Sequence, residues 1–597
     1  MIGITSQNAV HISVTQILMR LQHRSLIGIV ALVFATGSST PRDELDTFVM
    51  TQMARRHIAG LSLAIVQDGR IVEARAYGVT DSGGGKTVDT TTLFQAGSIS
   101  KSVSALGALH LVEQHKLDLD SDVNATLKTW KVPPNQFTST KAVTLRELLS
   151  HTAGLTVHGF PGYAIDAPKP TLVQVLDSSG PANTAPIRVD AEPGSRWNYS
   201  GGGYTVMQQM MLDVTGKTFP EFMRETVLAP LGMVRSTFEQ PPAPARAALT
   251  AAGHYPDGSE VKGRWHVYPE MAAAGLWTTP SDLARFAIGV QQAYAGRSSK
   301  VISQAMAKQM LTDQKDMDGL GVFLQGAAPG MRFNHNGRDE GFDAMMTATV
   351  ETGQGVVIMI NANDNSRAVA RIQDFVATKY HWPNASDYVA PSAVAISSAQ
   401  LNSVAGRYEM RENQMLAFVP RDGRLFTSVG GYPDEELIPL GNDRFASADR
   451  PARMVFIRDA SGAVTGLTWN EGGTDHSVPR IGPLVAPLPP AKEDTAITRR
   501  VQSVLSAMGQ SGSAIASTQW LTDGARKDFT SAWPPAIGLT RLTFISAEDV
   551  SARNIRRHGS NVARILYYRM RTAKGDRILL VHLTSDGLVT DVDDVDE

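Results

Sequence analysis

Strand-like segments stand near both ends of the first 380 residues, and this arrangement most constrains the fold. The segment "LSLAIVQDGRIVEARAYGV" (61–79) alternates apolar and polar residues around Asp68-Gly69, which predicts a β-hairpin. Two more strands are predicted in "AMMTATVETGQGVVIMINA" (344–362), with a turn around Gly353 and Gly355. Helical patterns lie between them, in "TLRELLS", "YTVMQQMMLDVTG" and "PSDLARFAIGVQQAYAG". The pattern therefore predicts an α+β unit that ends near residues 380–383.

The sequence pattern changes after this unit. Short strands separated by Asp-Gly and Ser-Gly turns are predicted over residues 400–482, as in "QMLAFVPRDGRLFTSVGG", which indicates an all-β unit. The proline-rich stretch "GPLVAPLPPAKED" then reads as a hinge. Residues 494–597 begin with the helical "ITRRVQSVLSAM" and continue with strands, which predicts a small α+β domain with a frayed acidic tail. A length of 597 residues is compatible with two to four such domains.

Composition and motifs exclude several classes of function. A net charge of -2 means that the chain has no excess of positive charge to attract nucleic acid, so no nucleic-acid partner is expected. The chain has no cysteine, which excludes disulfides, thiolate zinc sites and a cysteine nucleophile. Its histidines are scattered without an H-E-x-x-H motif, and two P-loop-like segments have Thr80 and Met211 where the first glycine is required. We therefore expect no metal and no organic cofactor.

The N-terminal region predicts export. Residues 19–37 carry two arginines, then an apolar run from Leu26 to Ala35, then small residues, which is typical of a secretory signal peptide cleaved near Gly37. The alternative is a membrane anchor, but the run is shorter than the ~20 apolar residues that a span requires. The expected location is the periplasm or the extracellular medium, with no stable membrane span.

The segment "FQAGSISKS" (94–102) contains the candidate nucleophile. An apolar periodicity follows it and predicts an amphipathic helix, on which Ser98 and Lys101 are three residues apart and share a face. Gly97 permits a sharp turn into that helix, whose first N–H groups favour developing negative charge. The alternative is that Ser98 is only a helix cap and Lys101 a surface cation.

Two further segments would complete an S-x-x-K acyl-transfer site. In "PGSRWNYSGGGY" (193–204), Tyr199 stands in a glycine- and serine-rich loop just before a helix, where its hydroxyl can reach a cleft. In "HNGRDEGF" (335–342), His335-Asn336-Gly337 begins or lines a strand, and Gly337 has no side chain to obstruct a ligand.

Taken in order, these motifs resemble the β-lactamase-related serine hydrolases, the superfamily of class C β-lactamases, DD-peptidases and family VIII-type esterases. The likeness covers about residues 42–382, and also rests on "KLDLDSDV", "LRELLSHTAGL", "APLGM" and "AAAGLWTTPSDLARF". It implies an antiparallel sheet flanked by helices, a helical subdomain, and a site between the two. Residues 400–482 look like a lipocalin-like β-barrel, and residues 494–597 have a weaker likeness to cystatin-like domains.

The resemblance also implies roles for individual residues. Ser98 would be the nucleophile, Lys101 would stabilise charge and transfer protons, and Tyr199, with its pKa lowered by the lysine, would be the base. The oxyanion hole would consist of the backbone N–H groups of Ser98 and Arg338. The substrate-binding positions would be His335, Asn336, Gly337 and Gly201.

Two departures from the family pattern concern the substrate. Class C β-lactamases have asparagine where this chain has Gly201, and lysine where it has His335. An unperturbed histidine is mostly neutral at pH 7 and is a poor fixed cation for a substrate carboxylate. We therefore expect an esterase or D-amino-acid peptidase acting on a small molecule or peptide, rather than an efficient β-lactamase. The alternative is a penicillin-binding-like sensor or binding module with little turnover.

Overall fold

The computed structural model describes residues 43–596, apart from 84, 257, 365, 384, 386–387, 389, 412–413, 429–433, 472–473, 485–491, 509–511, 533–538, 554 and 573–574. The predicted signal peptide at residues 19–37 lies outside the described residues. No helix within the described part of the chain combines the length and apolar character needed to cross a bilayer.

A six-stranded antiparallel sheet organises the first part of the chain. Its strand order is β2-β1-β10-β9-β8-β7, so strands from the two ends of this part pair directly, with Leu61 opposite Ile360. Asp68 and Gly69 both have positive φ, as the tight hairpin turn between β1 and β2 requires. The strands are β1 (Gly60–Gln67), β2 (Arg70–Gly78), β7 (Phe323–Gln325), β8 (Arg332–Asp339), β9 (Phe342–Thr349) and β10 (Gly355–Ile360).

Short strands and most helices of this part lie between β2 and β7 in the chain, whereas the first helix precedes β1 and the last follows β10. The short strands are β3 (Phe94–Gln95), β4 (Tyr163–Ala164), β5 (His266–Val267) and β6 (Trp277–Thr278). The helices are α1 (Glu44–Arg55), α2 (Ile99–Glu113), α3 (Val123–Thr126), α4 (Leu145–Leu149), α5 (Leu172–Asp177), α6 (Gly201–Thr215), α7 (Phe219–Met223) with a π-helical turn (Arg224–Leu228), α8 (Pro244–Ala247), α9 (Met271–Ala274), α10 (Pro280–Tyr294), α11 (Gln304–Met310) and α12 (Arg367–Lys379).

Helix α2 is buried on nearly all sides. Every residue from Ile99 to Leu109 is buried, so the prediction of an amphipathic helix is wrong. Two of its three buried serine hydroxyls have partners: Ser100 Oγ accepts the Leu276 N–H at 3.0 Å, and Ser102 Oγ donates to the Gly321 carbonyl at 2.7 Å. The site residues on α2 are therefore held in the interior, where water screens charge poorly.

Strands β11 to β18 form a closed antiparallel barrel. Aromatic rings of Tyr408, Phe418, Phe445 and Phe456 contact one another edge to face inside it, so the interior is a packed core. The elements are α13 (Ser398–Val404), β11 (Gly406–Arg411), β12 (Gln414–Arg421), β13 (Arg424–Ser428), β14 (Glu435–Gly441), β15 (Arg444–Ser447), β16 (Ala452–Arg458), β17 (Val464–Glu471) and β18 (Thr474–Gly482).

Helices and an antiparallel sheet of order β19-β22-β23-β24 form the C-terminal part. The predicted fraying of the acidic tail is wrong, because the tail continues strand β24, which pairs with β23, and Val589 and Val592 are buried. The elements are α14 (Thr495–Met508), α15 (Gly512–Ser517), α16 (Asp523–Ala532), β19 (Leu539–Asp549), a 3-10 turn (Ser551–Arg553), β20 (Arg556–Arg557), β21 (Ser560–Asn561), β22 (Arg564–Thr572), β23 (Gly575–Leu583) and β24 (Val589–Asp596). The predicted fold class, an α+β unit followed by an all-β barrel and a small α+β domain, is confirmed.

Candidate active site

Ser98 lies at the start of α2, after a turn that suits only glycine. Gly97 has a φ of +51°, and a β-carbon at this position would lie 2.3 Å from the Arg338 nitrogen. The loop can therefore pack directly on strand β8. The Ser98 side chain is half-buried and makes no capping hydrogen bond, so the alternative in which it only caps the helix is not supported.

Lys101 lies one helical turn after Ser98 and is 2% exposed. Its Nζ donates to Ser98 Oγ at 2.9 Å and to the Ala273 carbonyl at 2.8 Å. Burial lowers the pKa of Lys101 to about 7, while the negative charge of Asp339 acts in the opposite direction. The alternative of a surface cation is excluded, and this amine can exchange a proton near neutral pH.

Tyr199 lies in the loop before α6, whose first turn is capped by Ser200 Oγ accepting the Gly203 N–H at 3.0 Å. The Tyr199 hydroxyl is hydrogen bonded to Ser98, and Lys101 Nζ lies 5.1 Å from the centroid of its ring. Burial raises the pKa of Tyr199 above its ordinary value, and the hydrogen bond to Ser98 offsets this only in part. The prediction of a lowered tyrosine pKa is wrong, because desolvation of the phenolate is the largest effect on this hydroxyl.

Strand β8 runs beside the Ser98 loop and carries the predicted residues 335–338. A β-carbon at Gly337 would lie 1.8 Å from the Ala96 carbonyl oxygen, so the strand can approach the loop only because this residue is glycine. The backbone of Arg338 therefore lies beside that of Gly97. The side chain of Arg338 forms an ion pair with buried Asp343, with Nε 2.8 Å from Oδ1.

His335 is buried and uncharged. Burial and the nearby Lys101 lower the pKa of His335 to about 3, so the imidazole is neutral at physiological pH. Its Nδ1 lies 2.6 Å from the Asn336 carbonyl oxygen, while the Asn336 side chain is exposed. His335 therefore supplies no fixed cation to the site.

Gly201 begins helix α6 and faces an aromatic ring. A β-carbon at this position would lie 2.9 Å from Phe160 Cε2 and 3.2 Å from the His158 carbonyl oxygen. The phenyl ring thus takes the space that a side chain at this position would enter, so a larger residue here would require the ring to shift.

Aromatic side chains border the site and form what we call the aromatic wall, Trp197 and Phe323. The indole of Trp197 is 36% exposed, and its Nε1 donates to Asp318 Oδ2 at 2.8 Å. The Phe323 ring lies 4.8 Å from the His335 ring and 6.1 Å from the Tyr199 ring, measured between centroids. Burial raises the pKa of Asp318 to about 7.

Three buried polar residues near the site were missed by reasoning from the sequence. His151 stands in "LRELLSHTAGL" and packs on Tyr199, and Asp339 stands in "HNGRDEGF", where burial raises its pKa although Lys101 acts to lower it. Burial also raises the pKa of Glu270, just before α9, to about 8. The signal available for His151 and Asp339 was their place within two of the ordered motifs.

One group of residues that could hold a metal ion lies outside this site. Among the described residues, one group, His582, Asp591 and Asp593, brings its ligand atoms within 4.8 Å of one another. It lies in the C-terminal sheet, and Arg557 Nε already pairs with Asp591 at 3.0 Å. A guanidinium in contact with a carboxylate opposes a second cation there.

The residues near Ser98 form a constellation suited to acyl transfer. A hydroxyl is hydrogen bonded to an amine whose pKa is near 7 and to a phenol, and two adjoining backbone segments can direct N–H groups at a developing oxyanion. Ser100 and Ser102 are buried and bonded to backbone groups, so Ser98 is the serine of this segment with access to a substrate.

One family model matches this chain, and several known proteins are similar to it. The family model described as Beta-lactamase matches residues 45–379, more than half of the 597-residue chain. Penicillin-binding protein 4 of Amycolatopsis lactamdurans is 28% identical over 260 residues, which cover 42% of this chain and 65% of that protein. Among solved structures, a penicillin-binding protein homologue from Pyrococcus abyssi, described as octameric, has a TM-score of 0.49 at 20% identity and covers 73% of this chain and 99% of its own. The D-amino acid amidase from Ochrobactrum anthropi SV3 has a TM-score of 0.46 at 21% identity, covering 57% and 100%.

Proposed function

Because this chain belongs to the β-lactamase family, we propose that it is a serine hydrolase that cleaves small esters or amides through an acyl-enzyme on Ser98. One observation carries the proposal: Lys101 Nζ lies 2.9 Å from Ser98 Oγ, and burial lowers the pKa of this amine to about 7. An amine with this pKa can accept the hydroxyl proton at neutral pH, whereas an ordinary lysine is fully protonated.

The proposed reaction has two halves. In acylation, Ser98 Oγ attacks the carbonyl carbon, its proton passes to neutral Lys101, and the oxyanion is stabilised by the N–H groups of Ser98 and Arg338. The bond to the leaving group then breaks, and the leaving atom receives the proton from Lys101 through the Tyr199 hydroxyl. In deacylation, water attacks the acyl carbon, gives its proton to Lys101 by the same relay, and Ser98 leaves with that proton. Tyr199 thus transfers a proton and is never required to be a stable phenolate, which its raised pKa opposes.

The side chains that border the site favour a substrate with a neutral, apolar acyl group. Trp197 and Phe323 present aromatic surface beside Tyr199, and His335 is neutral. The Arg338 guanidinium is paired with Asp343. A substrate carboxylate would therefore meet no strong positive charge from these residues, whereas an alkyl or aryl acyl chain would bury apolar surface against the aromatic wall.

The N-terminal segment 19–37 is proposed to direct export. Its arginines, apolar run and small residues are the parts of a secretory signal, and a chain without cysteine is compatible with an oxidising compartment. Export would expose the site to cell-wall peptides and to extracellular esters.

Neutral esters are expected to be much better substrates than β-lactams. At pH 7.5, kcat/KM for p-nitrophenyl butyrate should exceed that for nitrocefin by about a hundredfold or more, because a misplaced β-lactam loses on the order of that factor. Intact-protein mass spectrometry on the same samples should show a transient butyryl adduct, located on Ser98 by peptide mapping.

The same experiment separates the alternatives. Equal or faster turnover of nitrocefin would contradict the substrate assignment while leaving the serine mechanism intact. Stoichiometric acylation of Ser98 without turnover of either compound would favour a penicillin-binding-like sensor over a hydrolase. An adduct on another residue would contradict the proposed mechanism.

We expect kcat/KM to rise with pH, so that its pH profile has an ascending limb centred near pH 7. Lys101 is cationic below its pKa of about 7 and neutral above it, so the fraction able to accept the Ser98 proton increases through that range. The measurement is kcat/KM for p-nitrophenyl butyrate between pH 5 and 9, corrected for spontaneous hydrolysis. A limb near pH 10, the ordinary range of lysine, would contradict the assignment.

Asp339→Asn provides the matched control for this limb. The carboxylate of Asp339 raises the pKa of Lys101, while the other facing groups, His151 and His335, have pKa values lowered by burial and are neutral near pH 7. Burial raises the pKa of Asp339 itself, so this variant moves the limb to lower pH only if the carboxyl is ionised across that range. An unchanged limb would show that Asp339 is protonated there and carries no charge beside Lys101.

A further inference from the structure

His151 occupies an unusual backbone position next to the proposed site. It follows α4 by two residues, is 3% exposed, and has a φ of +56°, in the left-handed region that few side chains adopt. Such a conformation costs on the order of 1 kcal/mol or more and persists only where surrounding contacts hold it. None of the proposed chemical steps uses this residue.

The backbone on both sides of Tyr199 is hydrogen bonded to His151. The N–H of Asn198 donates to the His151 carbonyl at 2.8 Å, and the N–H of Ser200 donates to His151 Nδ1 at 3.1 Å. One residue therefore holds the position before the tyrosine with its backbone and the position after it with its side chain. We call these two hydrogen bonds the bracket.

The imidazole also packs on the tyrosine ring. The centroids of the His151 and Tyr199 rings are 4.2 Å apart, and the Tyr204 ring lies 5.4 Å from that of His151 on the same helix entrance. Since Nδ1 accepts a backbone N–H, the neutral imidazole carries its proton on Nε2. Burial and the charge of Lys101 lower the pKa of His151, so the ring stays neutral and keeps Nδ1 as an acceptor.

We propose that His151 is a positioning residue which holds the Tyr199 hydroxyl against Ser98 through the bracket and through ring packing. The inference rests on the proposed function, in which Tyr199 relays the proton to the leaving group. The relay needs the phenol oxygen within hydrogen-bond distance of the atoms it serves, and a misplacement of ~1 Å can cost on the order of a hundredfold in rate.

Two conservative variants separate the bracket from general packing. His151→Asn places an amide oxygen close to the position of Nδ1 and tolerates a positive φ, whereas His151→Gln moves its polar atoms one bond further away. We expect kcat for p-nitrophenyl butyrate to fall less than tenfold in His151→Asn and about a hundredfold in His151→Gln and His151→Ala, with KM changed little. Equal kcat in the Asn and Gln variants would overturn the role of the bracket.

A double-mutant cycle with Tyr199→Phe tests whether His151 acts through the tyrosine. If it does, His151→Ala should lower kcat about a hundredfold in the wild type but less than about threefold in the Tyr199→Phe background. A similar loss in both backgrounds would overturn the proposal. If His151→Ala fails to melt cooperatively, the cycle is run with His151→Gln.

His254→Ala is the matched control for losing a buried imidazole. His254 is 1% exposed, and its Nδ1 lies 2.8 Å from the Asn361 carbonyl oxygen. We expect this variant to lose thermal stability to a similar extent while keeping kcat within a few-fold of wild type. A kcat loss in His254→Ala as large as that in His151→Ala would overturn a specific role for His151.

Failure of this inference can be told apart from failure of the proposed function. If the wild type shows no Ser98-dependent hydrolysis, the function fails, and crystal structures of the wild type and His151→Gln then test the bracket by themselves. Displacement of the Tyr199 hydroxyl by about 1 Å or more in the variant supports the positioning role, and an unmoved hydroxyl overturns it.

Discussion

Replacing Ser98 by alanine is expected to lower ester hydrolysis by more than about a thousandfold while leaving the fold intact. The side chain is half-buried at the start of α2, where a methyl group fits, and its hydroxyl makes no helix-capping hydrogen bond. The loss would therefore be chemical, because no other serine in the segment has an accessible oxygen beside Lys101. The measurement is kcat/KM for p-nitrophenyl butyrate, together with the absence of the acyl adduct by intact-protein mass spectrometry.

Ser102→Ala is the matched control for this substitution. Its hydroxyl is buried and donates to the Gly321 carbonyl at 2.7 Å, so the variant leaves a buried acceptor unpaired and should lose about 1 to 3 kcal/mol of unfolding free energy. Its kcat should stay within a few-fold of wild type, because the reacting oxygen is unchanged. Activity retained in Ser98→Ala, or lost equally in both variants, would contradict the assignment of the nucleophile.

Lys101→Met is expected to abolish turnover to a similar extent without unfolding the protein. Methionine has nearly the length of lysine and suits the apolar surroundings of α2, but it cannot accept a proton from Ser98 or return it. General acid–base catalysis contributes on the order of a hundred- to ten-thousandfold, and the loss should fall in kcat rather than KM.

Stability provides a second signature of Lys101→Met that depends on pH. In the folded wild type the pKa of Lys101 is lowered to about 7, so the unfolded chain binds more protons between pH 7 and the ordinary lysine range. Burying the Lys101 amine therefore lowers the unfolding free energy of the wild type most below pH 7, and this loss becomes smaller as pH rises. The gain in unfolding free energy of the methionine variant should be larger at pH 6 than at pH 9, by roughly 2 kcal/mol. A gain independent of pH would contradict the lowered pKa.

Much of the architecture followed from local patterns. The Asp68-Gly69 turn and the alternating segments on either side of it predicted the first hairpin, and the same reasoning found β9 and β10 on either side of Gly353. Turn spacing predicted the all-β unit that the structure forms as a closed barrel. These predictions succeeded because strands and tight turns depend on residues close together in the chain. The acidic tail was misread, since Val589 and Val592 are buried in a core that residues of distant helices help to form.

For the site, the sequence by itself determined the family and the pairing of Ser98 with Lys101, because residues three apart on a helix share a face whatever surrounds them. The ordered motifs also marked Tyr199 and the β8 residues as candidates. Only the tertiary structure decided the protonation states, which depend on burial: α2 is enclosed, so the pKa of Lys101 falls and that of Tyr199 rises. It alone showed that Phe160 faces Gly201, and that His151 holds the backbone on both sides of Tyr199 from a segment nearly 50 residues earlier in the chain. Desolvation and contacts of this kind arise between segments far apart in sequence, and no local spacing encodes them.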